Sequence, residues 1–362
     1  MIEVAIKSDG VLRESRSLIP VTPKEVAGSW KRYYFPASSE VVLSVEEMKS
    51  VSQSWQINTS PAQPYGEGLL RFPQISGSSI YHIIEVFKPF KYVVRIPYSV
   101  TWSNSHPIPK LQVKVRISNE KSIGSLTITP EFKFDAYDSS QDNRKGTRVF
   151  ERLPPNGFFQ GEISYTYFPP AMTQGVNWGS INEIDPRLKR RSLQVLPFWR
   201  GIEKIQDSID RVPVENGLFS QCLDVFSLVS NFVMPEEHQN RKGVSKLLLN
   251  AKPSLGDCDE YTDLMVAILR KLGTPARRIT GIAYPKTFHA WAEVLTPALN
   301  WIPLDAAMRN FGLRSVNTIP MITENTRSSL DIVEVKAFQA NKAKIRPQVA
   351  DPIVQIESTE PL

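Results

Sequence analysis

The sequence predicts an α+β protein, in which a helix that carries a cysteine packs on a small antiparallel sheet and an all-β, sandwich-like N-terminal domain precedes them. Two observations lead to this fold class. Up to about residue 170, runs of residues alternate between apolar and polar, which is typical of strands with one buried face. Beyond about residue 200, apolar residues recur at helical spacing, and short β-like runs follow them.

The composition is that of a soluble globular protein. The 362 residues are enough for two domains or one large one, and 41% are hydrophobic and 22% charged. The formal net charge is +6, and the densest basic run, residues 188–191, is only four residues long. Because no RNP-like, zinc-finger or helix-turn-helix pattern accompanies this run, no nucleic-acid partner is expected.

Neither a membrane span nor a disulfide framework is expected. No stretch approaches 18 uninterrupted apolar residues, and the two cysteines are too few for a stapled fold. The first residues lack the charged and apolar regions of a signal peptide. This favours a cytoplasmic location, with the mature form of an exported protein left open.

Strands account for the N-terminal half. The period-two runs, separated by turn-forming clusters, predict short antiparallel strands at 92–100, 111–117, 126–129, 132–134 and 162–168. The aspartate-rich stretch 135–142 lacks the spacing of an EF-hand loop, so a polar hairpin loop is expected there and not a calcium site.

The change of pattern divides the chain into four segments. They are a β-rich N-terminal domain, a linker with a lead-in helix, a domain of helices and strands, and a C-terminal extension, at 1–170, 171–212, 213–325 and 326–362.

Cys222 is expected to be a buried, unreactive thiol. It belongs to an apolar series at helical spacing that includes Leu218, Phe226, Val229 and Phe232. A cysteine on the apolar face of a helix usually behaves as a small hydrophobic residue.

Cys258 is expected in the first turn of a different helix, which begins near Asp257 and ends at Gly273. The apolar stripe of this helix consists of Tyr261, Leu264, Met265, Ile268 and Leu272. Unpaired N–H groups and the helix dipole favour a thiolate in a first turn, and the same N–H groups can donate to an oxyanion. The acidic neighbours of Cys258 are expected to face solvent.

Three short strands are predicted after this helix, at 278–283, 288–295 and 300–305. They carry His289 in the second strand and Asp305 at the end of the third, so that adjacent antiparallel strands can hold the two side by side. Cysteine, histidine and aspartate together are sufficient for acyl transfer through a thioester. Taken singly, each residue also has a structural interpretation: a buried thiol, a hydrogen-bonded core histidine and a turn-capping aspartate.

Four motifs in this order closely resemble the transglutaminase-like superfamily. They are Gly-Asp-Cys-Asp-Glu, Ala-Ile-Leu-Arg-Lys-Leu-Gly-Thr-Pro-Ala-Arg, His-Ala-Trp-Ala-Glu-Val and Trp-Ile-Pro-Leu-Asp, at 256–260, 267–277, 289–294 and 301–305. Residues 244–250 are similar to the helix that precedes them in the family, and the likeness covers roughly residues 215–312. Thr274 departs from the usual Ile, and Ala306 and Ala307 stand where Pro-Thr is common.

The resemblance implies a papain-like core with Cys258 as the nucleophile, His289 as the general base and acid, and Asp305 as the residue that orients the imidazole. No cofactor and no metal ligand are expected, and calcium dependence is not predicted. The resemblance implies a protein or peptide substrate attacked at a glutamine side chain or a peptide bond. Trp291, Glu293 and Arg277 are expected to be scaffold residues. Neither the choice between hydrolysis and cross-linking, nor a second oxyanion donor, nor an oligomeric state is predicted.

An alternative function is a catalytically inactive binding or scaffold protein that keeps the same fold. Its β-rich half would then carry the function. The presence of all three residue types favours an active enzyme.

Overall fold

The computed structural model describes residues 2–6, 12–14, 30–44, 56–59, 62–64, 69–74, 81–135, 142–171, 175–213, 217–236, 241–249, 254–285, 287–324, 332–338 and 343–358. The chain forms two compact units built from interleaved segments. The first unit consists of Met1–Pro89, Pro170–Ile279 and His289–Val316, and the second of Phe90–Pro169, Thr280–Phe288 and Asn317–Leu362. The four consecutive segments expected along the sequence stay a prediction.

The first unit begins with eight strands: β1 (Ile2–Ile6), β2 (Leu12–Glu14), β3 (Trp30–Pro36), β4 (Val41–Ser44), β5 (Gln56–Thr59), β6 (Gln63–Pro64), β7 (Leu69–Phe72) and β8 (Tyr81–Phe87). They form a five-stranded sheet, in the order β2-β1-β4-β7-β6, and a three-stranded sheet, in the order β3-β8-β5. Strands β1 and β4 run parallel. Both sheets contribute to one hydrophobic core, which includes Phe35 and Ile84 from one sheet and Leu43 and Phe72 from the other.

The second unit begins with six strands: β9 (Phe90–Ser103), β10 (Ile108–Ser118), β11 (Ile123–Thr129), β12 (Lys133–Phe134), β13 (Asn143–Leu153) and β14 (Asn156–Tyr167). Each of the five predicted strands of this region is found. However, β9, β10 and β14 have 14, 11 and 12 residues and are not short. Strand β13 was not predicted, because its mostly half-buried and exposed residues show little apolar alternation. Most of the hairpin loop expected at 135–142 lies outside the described residues.

The next part of the sequence of the first unit consists of helices and a two-stranded parallel sheet. The elements are α1 (Pro186–Arg191), α2 (Gln206–Ile209), α3 (Gly217–Phe232), β15 (Val233–Pro235), α4 (Val244–Leu247), β16 (Ser254–Gly256) and α5 (Cys258–Lys271). Helix α3 confirms the apolar helix predicted around Cys222.

The stretch before α3, expected as a linker with a lead-in helix, contains a helix and packs on the core. The basic run forms helix α1, which Asp185 caps by accepting a hydrogen bond from the Arg187 N–H at 2.7 Å. On either side of α1, Trp178 and Trp199 are buried in the same hydrophobic core as α3 and α5. Burial of these large side chains anchors the stretch to the core.

A sheet covers the apolar sides of the helices. Its strands β17 (Ala276–Ala283), β18 (Thr287–Leu295), β19 (Trp301–Asp305) and β20 (Asn310–Phe311) confirm the three predicted strands and add one. The order is β20-β19-β18-β17, followed by β21 (Thr318–Glu324). Ala292 and Val294 of β18 share one core with Leu264 and Ile268 of α5, so the helix that carries Cys258 packs on this sheet as expected.

The C-terminal residues add three strands to the second unit: β22 (Val333–Phe338), β23 (Lys344–Val349) and β24 (Ile353–Ser358). They complete two antiparallel sheets, β12-β13-β10-β22 and β11-β14-β9-β23, in which β24 also pairs with β9. The packing of these sheets as a sandwich stays a prediction. The helices and the mainly antiparallel sheets confirm the α+β class. Within the described ranges, no helix combines the length and the hydrophobicity that a membrane crossing requires.

Candidate active site

The N-terminus of α5 is held by a complete capping box. The Asp257 carboxylate accepts from the Asp259 N–H at 2.9 Å, and the Glu260 carboxylate accepts in return from the Asp257 N–H at 3.2 Å. This pairing satisfies N–H groups that have no acceptor inside the helix. It fixes Cys258, which is partly exposed, as the first residue of the helix.

The acidic neighbours of Cys258 are not simply solvated, and the expectation that they face solvent is wrong for Glu260. This side chain is fully buried, and it also accepts from the Lys242 N–H at 2.7 Å. Burial is the main cause that raises the pKa of Glu260. The Asp259 carboxylate is half-buried and paired with Arg278. Each charge therefore has its own donors within the protein, which limits its effect on the thiol.

Asp263, one turn further along α5, is a buried acid that the sequence analysis did not single out. It accepts from Arg241 Nε at 2.7 Å and from Trp199 Nε1 at 3.0 Å. Arg278 Nη1 lies 3.4 Å from the same carboxylate. The position of Asp263 on the buried side of a predicted helix could have indicated a paired acid, because a buried carboxylate needs hydrogen-bond donors.

Strand pairing brings His289 and Asp305 together. Strands β18 and β19 are antiparallel, with Glu293 opposite Pro303 and Ala292 opposite Leu304. Continued by one residue beyond Ala292 and Leu304, this register places Asp305 opposite Trp291, diagonal to His289 on the same face of the sheet. The structure therefore holds His289 and Asp305 side by side on adjacent antiparallel strands, as the sequence predicts.

The structure brings all three predicted site residues together. His289 Nε2 lies 2.7 Å from Asp305 Oδ2, and the same imidazole interacts with the Cys258 side chain. The second Asp305 oxygen, Oδ1, accepts from the Met308 N–H at 3.1 Å. His289 and Asp305 are buried, with 6% and 5% of their surfaces exposed, so water competes little for these hydrogen bonds.

The surroundings of His289 favour its protonated form. Burial lowers the pKa of the imidazole, but the charge of Asp305, the hydrogen bond to it and the contact with Cys258 together raise this pKa to about 10. The attraction of the adjacent carboxylate thus outweighs the cost of burying the charged imidazole.

Trp291, Glu293 and Arg277 form a buried group beside the imidazole. Glu293 accepts from Arg277 Nε at 2.8 Å and from Trp291 Nε1 at 3.2 Å, and it is also paired with Arg314. The rings of Trp291 and His289 are stacked, with their centroids 6.1 Å apart. Their packing agrees with the scaffold role expected for them.

The two departures from the family pattern have local explanations. Thr274, in place of the usual Ile, is fully buried and donates to Gln221 Oε1 of α3 at 2.5 Å. Ala306 and Ala307 are followed by Met308, whose N–H binds Asp305 as described above. The unusual loop therefore still supports the carboxylate.

A cluster of possible metal ligands is present at the start of α5. Ligand atoms of Asp257, Cys258 and Asp259 lie within 4.8 Å of one another. Because Asp257 caps the helix and Asp259 is paired with Arg278, both carboxylates already have partners in the protein. We assign no metal to this cluster.

Comparison with known proteins places these residues in a family. The model of the transglutaminase-like superfamily matches residues 224–306, a range that contains Cys258, His289 and Asp305. A search of curated protein sequences found no match.

Three solved structures are similar to the chain at low sequence identity. A candidate cysteine protease from Cytophaga hutchinsonii is 15% identical, with a TM-score of 0.48 over 75% of this chain and 92% of that one. The periplasmic domain of TgpA from Pseudomonas aeruginosa, solved with ethylmercury bound, is 16% identical, with a TM-score of 0.31 over 71% of this chain and 90% of that one. A candidate protease from Parabacteroides distasonis is 8% identical, with a TM-score of 0.22 over 90% of this chain and 70% of that one.

The family match covers the capped helix that carries Cys258 and the strands that carry His289 and Asp305. Residues 224–306 form a domain of the transglutaminase-like superfamily.

Proposed function

We propose that the protein is a cysteine-dependent acyl-transfer enzyme of transglutaminase-like type, which acts on amide bonds of a protein or peptide through a thioester on Cys258. One observation carries this proposal: a single imidazole, that of His289, is hydrogen-bonded to Asp305 and interacts with Cys258. A nucleophile, a base and an orienting carboxylate in contact in this order are what such a reaction needs.

In the first half of the reaction, the Cys258 thiol gives its proton to His289, the sulfur attacks the carbonyl carbon of the amide, and a negative charge develops on the oxygen. The N–H of Cys258 lies in the first turn of α5, where helix N–H groups lack acceptors within the helix, and it donates to this oxygen. His289 then transfers its proton to the amide nitrogen, and the C–N bond breaks. The amine departs, and the acyl group remains bound to Cys258 as a thioester.

In the second half, water or an amine attacks the thioester carbonyl. His289 takes the proton of this nucleophile, the C–S bond breaks, and the product is a carboxylic acid or a new amide. Asp305 holds Nε2 of the imidazole throughout, which leaves Nδ1 as the ring nitrogen for the sulfur and for the transferred protons. Hydrolysis and cross-linking differ only in the nucleophile of this half.

The alternative of a silent binding protein is not favoured. Inactive relatives typically lose one residue of such a set, whereas Cys258, His289 and Asp305 are all present and in contact here.

The proposal is tested by offering the protein a panel of peptides and a glutamine-rich protein with a fluorescent primary amine. The wild type is expected to release new peptide ends or to incorporate the amine, and Cys258→Ala to do neither. Cys222→Ala is the matched control, because it removes the other thiol and should retain the activity. A Cys258 thiol that iodoacetamide alkylates no faster than glutathione, in a protein without either activity, would contradict the proposal.

A further inference from the structure

We propose that Glu85, in strand β8 of the N-terminal sheets, is a positioning residue for the His289 imidazole. The inference rests on the function proposed above and gives the N-terminal strands a part in it. It follows from a continuous series of buried contacts, all of them within the first compact unit.

The series begins at the Glu85 carboxylate, which is fully buried. Oε1 accepts from Arg32 Nε and from Ser315 Oγ, each at 2.7 Å, and Oε2 accepts from the Val316 N–H at 2.9 Å. Two of these donors belong to the loop that follows β20. A buried carboxylate depends on its donors, so Glu85 fixes this loop to the N-terminal sheet.

A neighbouring strand holds the same loop by its backbone. Asn58 of β5 donates its side-chain N–H to the carbonyl oxygen of Arg314. Residues 314, 315 and 316 are thus each bound to β5 or β8. A shift of this loop would break several buried hydrogen bonds at once.

The side chain of Arg314 extends the series to the strand that carries His289. Its guanidinium donates to Oε1 of Glu293, and this same oxygen accepts from Trp291 Nε1 at 3.2 Å. Glu293 is fully buried, and its other oxygen accepts from Arg277. The position of Arg314 therefore helps to determine where Glu293 holds the Trp291 ring.

The last contact joins Trp291 to the imidazole. The two rings are stacked, with centroids 6.1 Å apart and an angle of 26° between their planes. The polar contacts of His289 are Asp305 and Cys258. A tilt of Trp291 would change the angle at which the imidazole meets both, and small misplacements of such groups have large effects on reactivity.

Glu85→Gln tests this proposal, because it keeps the size of the side chain and removes one acceptor oxygen and the charge. Alkylation of Cys258 by iodoacetate and by iodoacetamide is followed across the pH range, with each thiol quantified by peptide mass spectrometry. The ratio of the two rates reports the positive charge of His289 beside the sulfur. A less well oriented imidazole receives less stabilisation from Asp305, so the pH at which the ratio falls by half should move down by about 0.5 pH unit or more.

Arg314→Lys should shift the same midpoint in the same direction, and it carries the test if Glu85→Gln does not fold. If both residues act through one series of contacts, the double variant should shift the midpoint by less than the sum of the single shifts. Leu43→Ala is the control, because it removes a fully buried side chain from the N-terminal core and belongs to none of the contacts above. It should lower the melting temperature and leave the midpoint at the wild-type value.

Three results would overturn the inference. They are an unchanged midpoint in folded Glu85→Gln and Arg314→Lys, additive shifts in the double variant, and an equal shift in Leu43→Ala. If Cys258 of the wild type reacts preferentially with iodoacetate, these results leave the proposed function intact. A wild-type protein that has neither activity, and whose Cys258 shows no preference for iodoacetate at any pH, would overturn both proposals.

Discussion

His289 and Asp305 occupy diagonal positions on neighbouring antiparallel strands, with 2.7 Å between Nε2 of the imidazole and Oδ2 of the carboxylate. The carboxylate is fixed at its other oxygen by the Met308 N–H, and both side chains are buried. This arrangement keeps a proton acceptor of fixed orientation beside the imidazole. Four predictions follow from it and from the buried groups around it.

The alkylation of Cys258 should depend on the charge of the reagent. Because the pKa of His289 is raised to about 10, the imidazolium stays next to the sulfur through neutral and mildly alkaline pH. Iodoacetate should therefore react faster, relative to neutral iodoacetamide, than it does with glutathione. This advantage should be lost as the pH rises through about 10.

Asp305→Asn is the control for this pH profile. It removes the largest of the interactions that raise the pKa of His289, so the advantage of iodoacetate should disappear at a lower pH than in the wild type. Identical profiles for the two proteins would mean that Asp305 does not stabilise the imidazolium.

His289 should also make the stability of the protein depend on pH. Its folded pKa of about 10 lies above the unfolded value of 6.5, so its stabilising contribution is complete below the unfolded value and lost as the pH rises towards the folded one. The free energy of unfolding of the wild type minus that of His289→Gln should thus be largest near pH 6 and decrease to about pH 10. Urea titrations at several pH values measure it, and a difference independent of pH would contradict the expectation.

Glu293→Gln should be strongly destabilising. The change removes the buried carboxylate that pairs with the guanidinium groups of Arg277 and Arg314, and breaking such a pair by removal of one partner costs about 3–5 kcal/mol. Burial raises the pKa of Glu293, but Arg314 and Arg277 outweigh it and lower this pKa, so the stabilisation is present above the unfolded value and is lost in acid.

The matched control for this variant is Glu357→Gln, which removes the same charge from the exposed pair with Lys91. Its free energy of unfolding should change by about 0.5 kcal/mol or less. Urea denaturation of both variants at neutral pH gives the comparison, and equal losses of stability would contradict the structural difference between the two pairs.

Cys222 should remain unreactive for as long as the protein is folded. It is fully buried in the core around α3, and burial raises the pKa of its thiol above the ordinary value. Labelling with iodoacetamide at neutral pH should therefore modify Cys258 alone, and Cys222 only in denaturant. Peptide mass spectrometry distinguishes the two, and labelling of both thiols at similar rates in the folded protein would contradict this prediction.

Local patterns predicted the elements that carry the candidate site. The apolar stripe from Tyr261 to Leu272 predicts a helix that begins near Asp257, and the structure has that helix from Cys258 to Lys271. The alternation around His289 predicted strand β18, because residues two apart lie on one face of a strand. The catalytic roles of Cys258, His289 and Asp305 stay a prediction.

Other features could not be predicted in this way. Strand β13 lies mostly at the surface, so its sequence lacks the alternation that burial imposes. The burial of Glu260 depends on the Lys242 N–H, a partner 18 residues earlier in the chain. The packing of the stretch around α1 depends on Trp178 and Trp199, whose burial requires the core built by α3 and α5.

The sequence by itself determined the Cys258 helix and the three strands that follow it, because periodicity acts between residues a few positions apart. Only the tertiary structure decided that one imidazole meets both the thiol and the carboxylate, and that the N-terminal strands share a unit with this site. Glu85 and Ser315 are 230 positions apart, and their hydrogen bond arises from chain folding. An alternating pattern specifies which face of a strand is buried, but not which distant residue will contact that face.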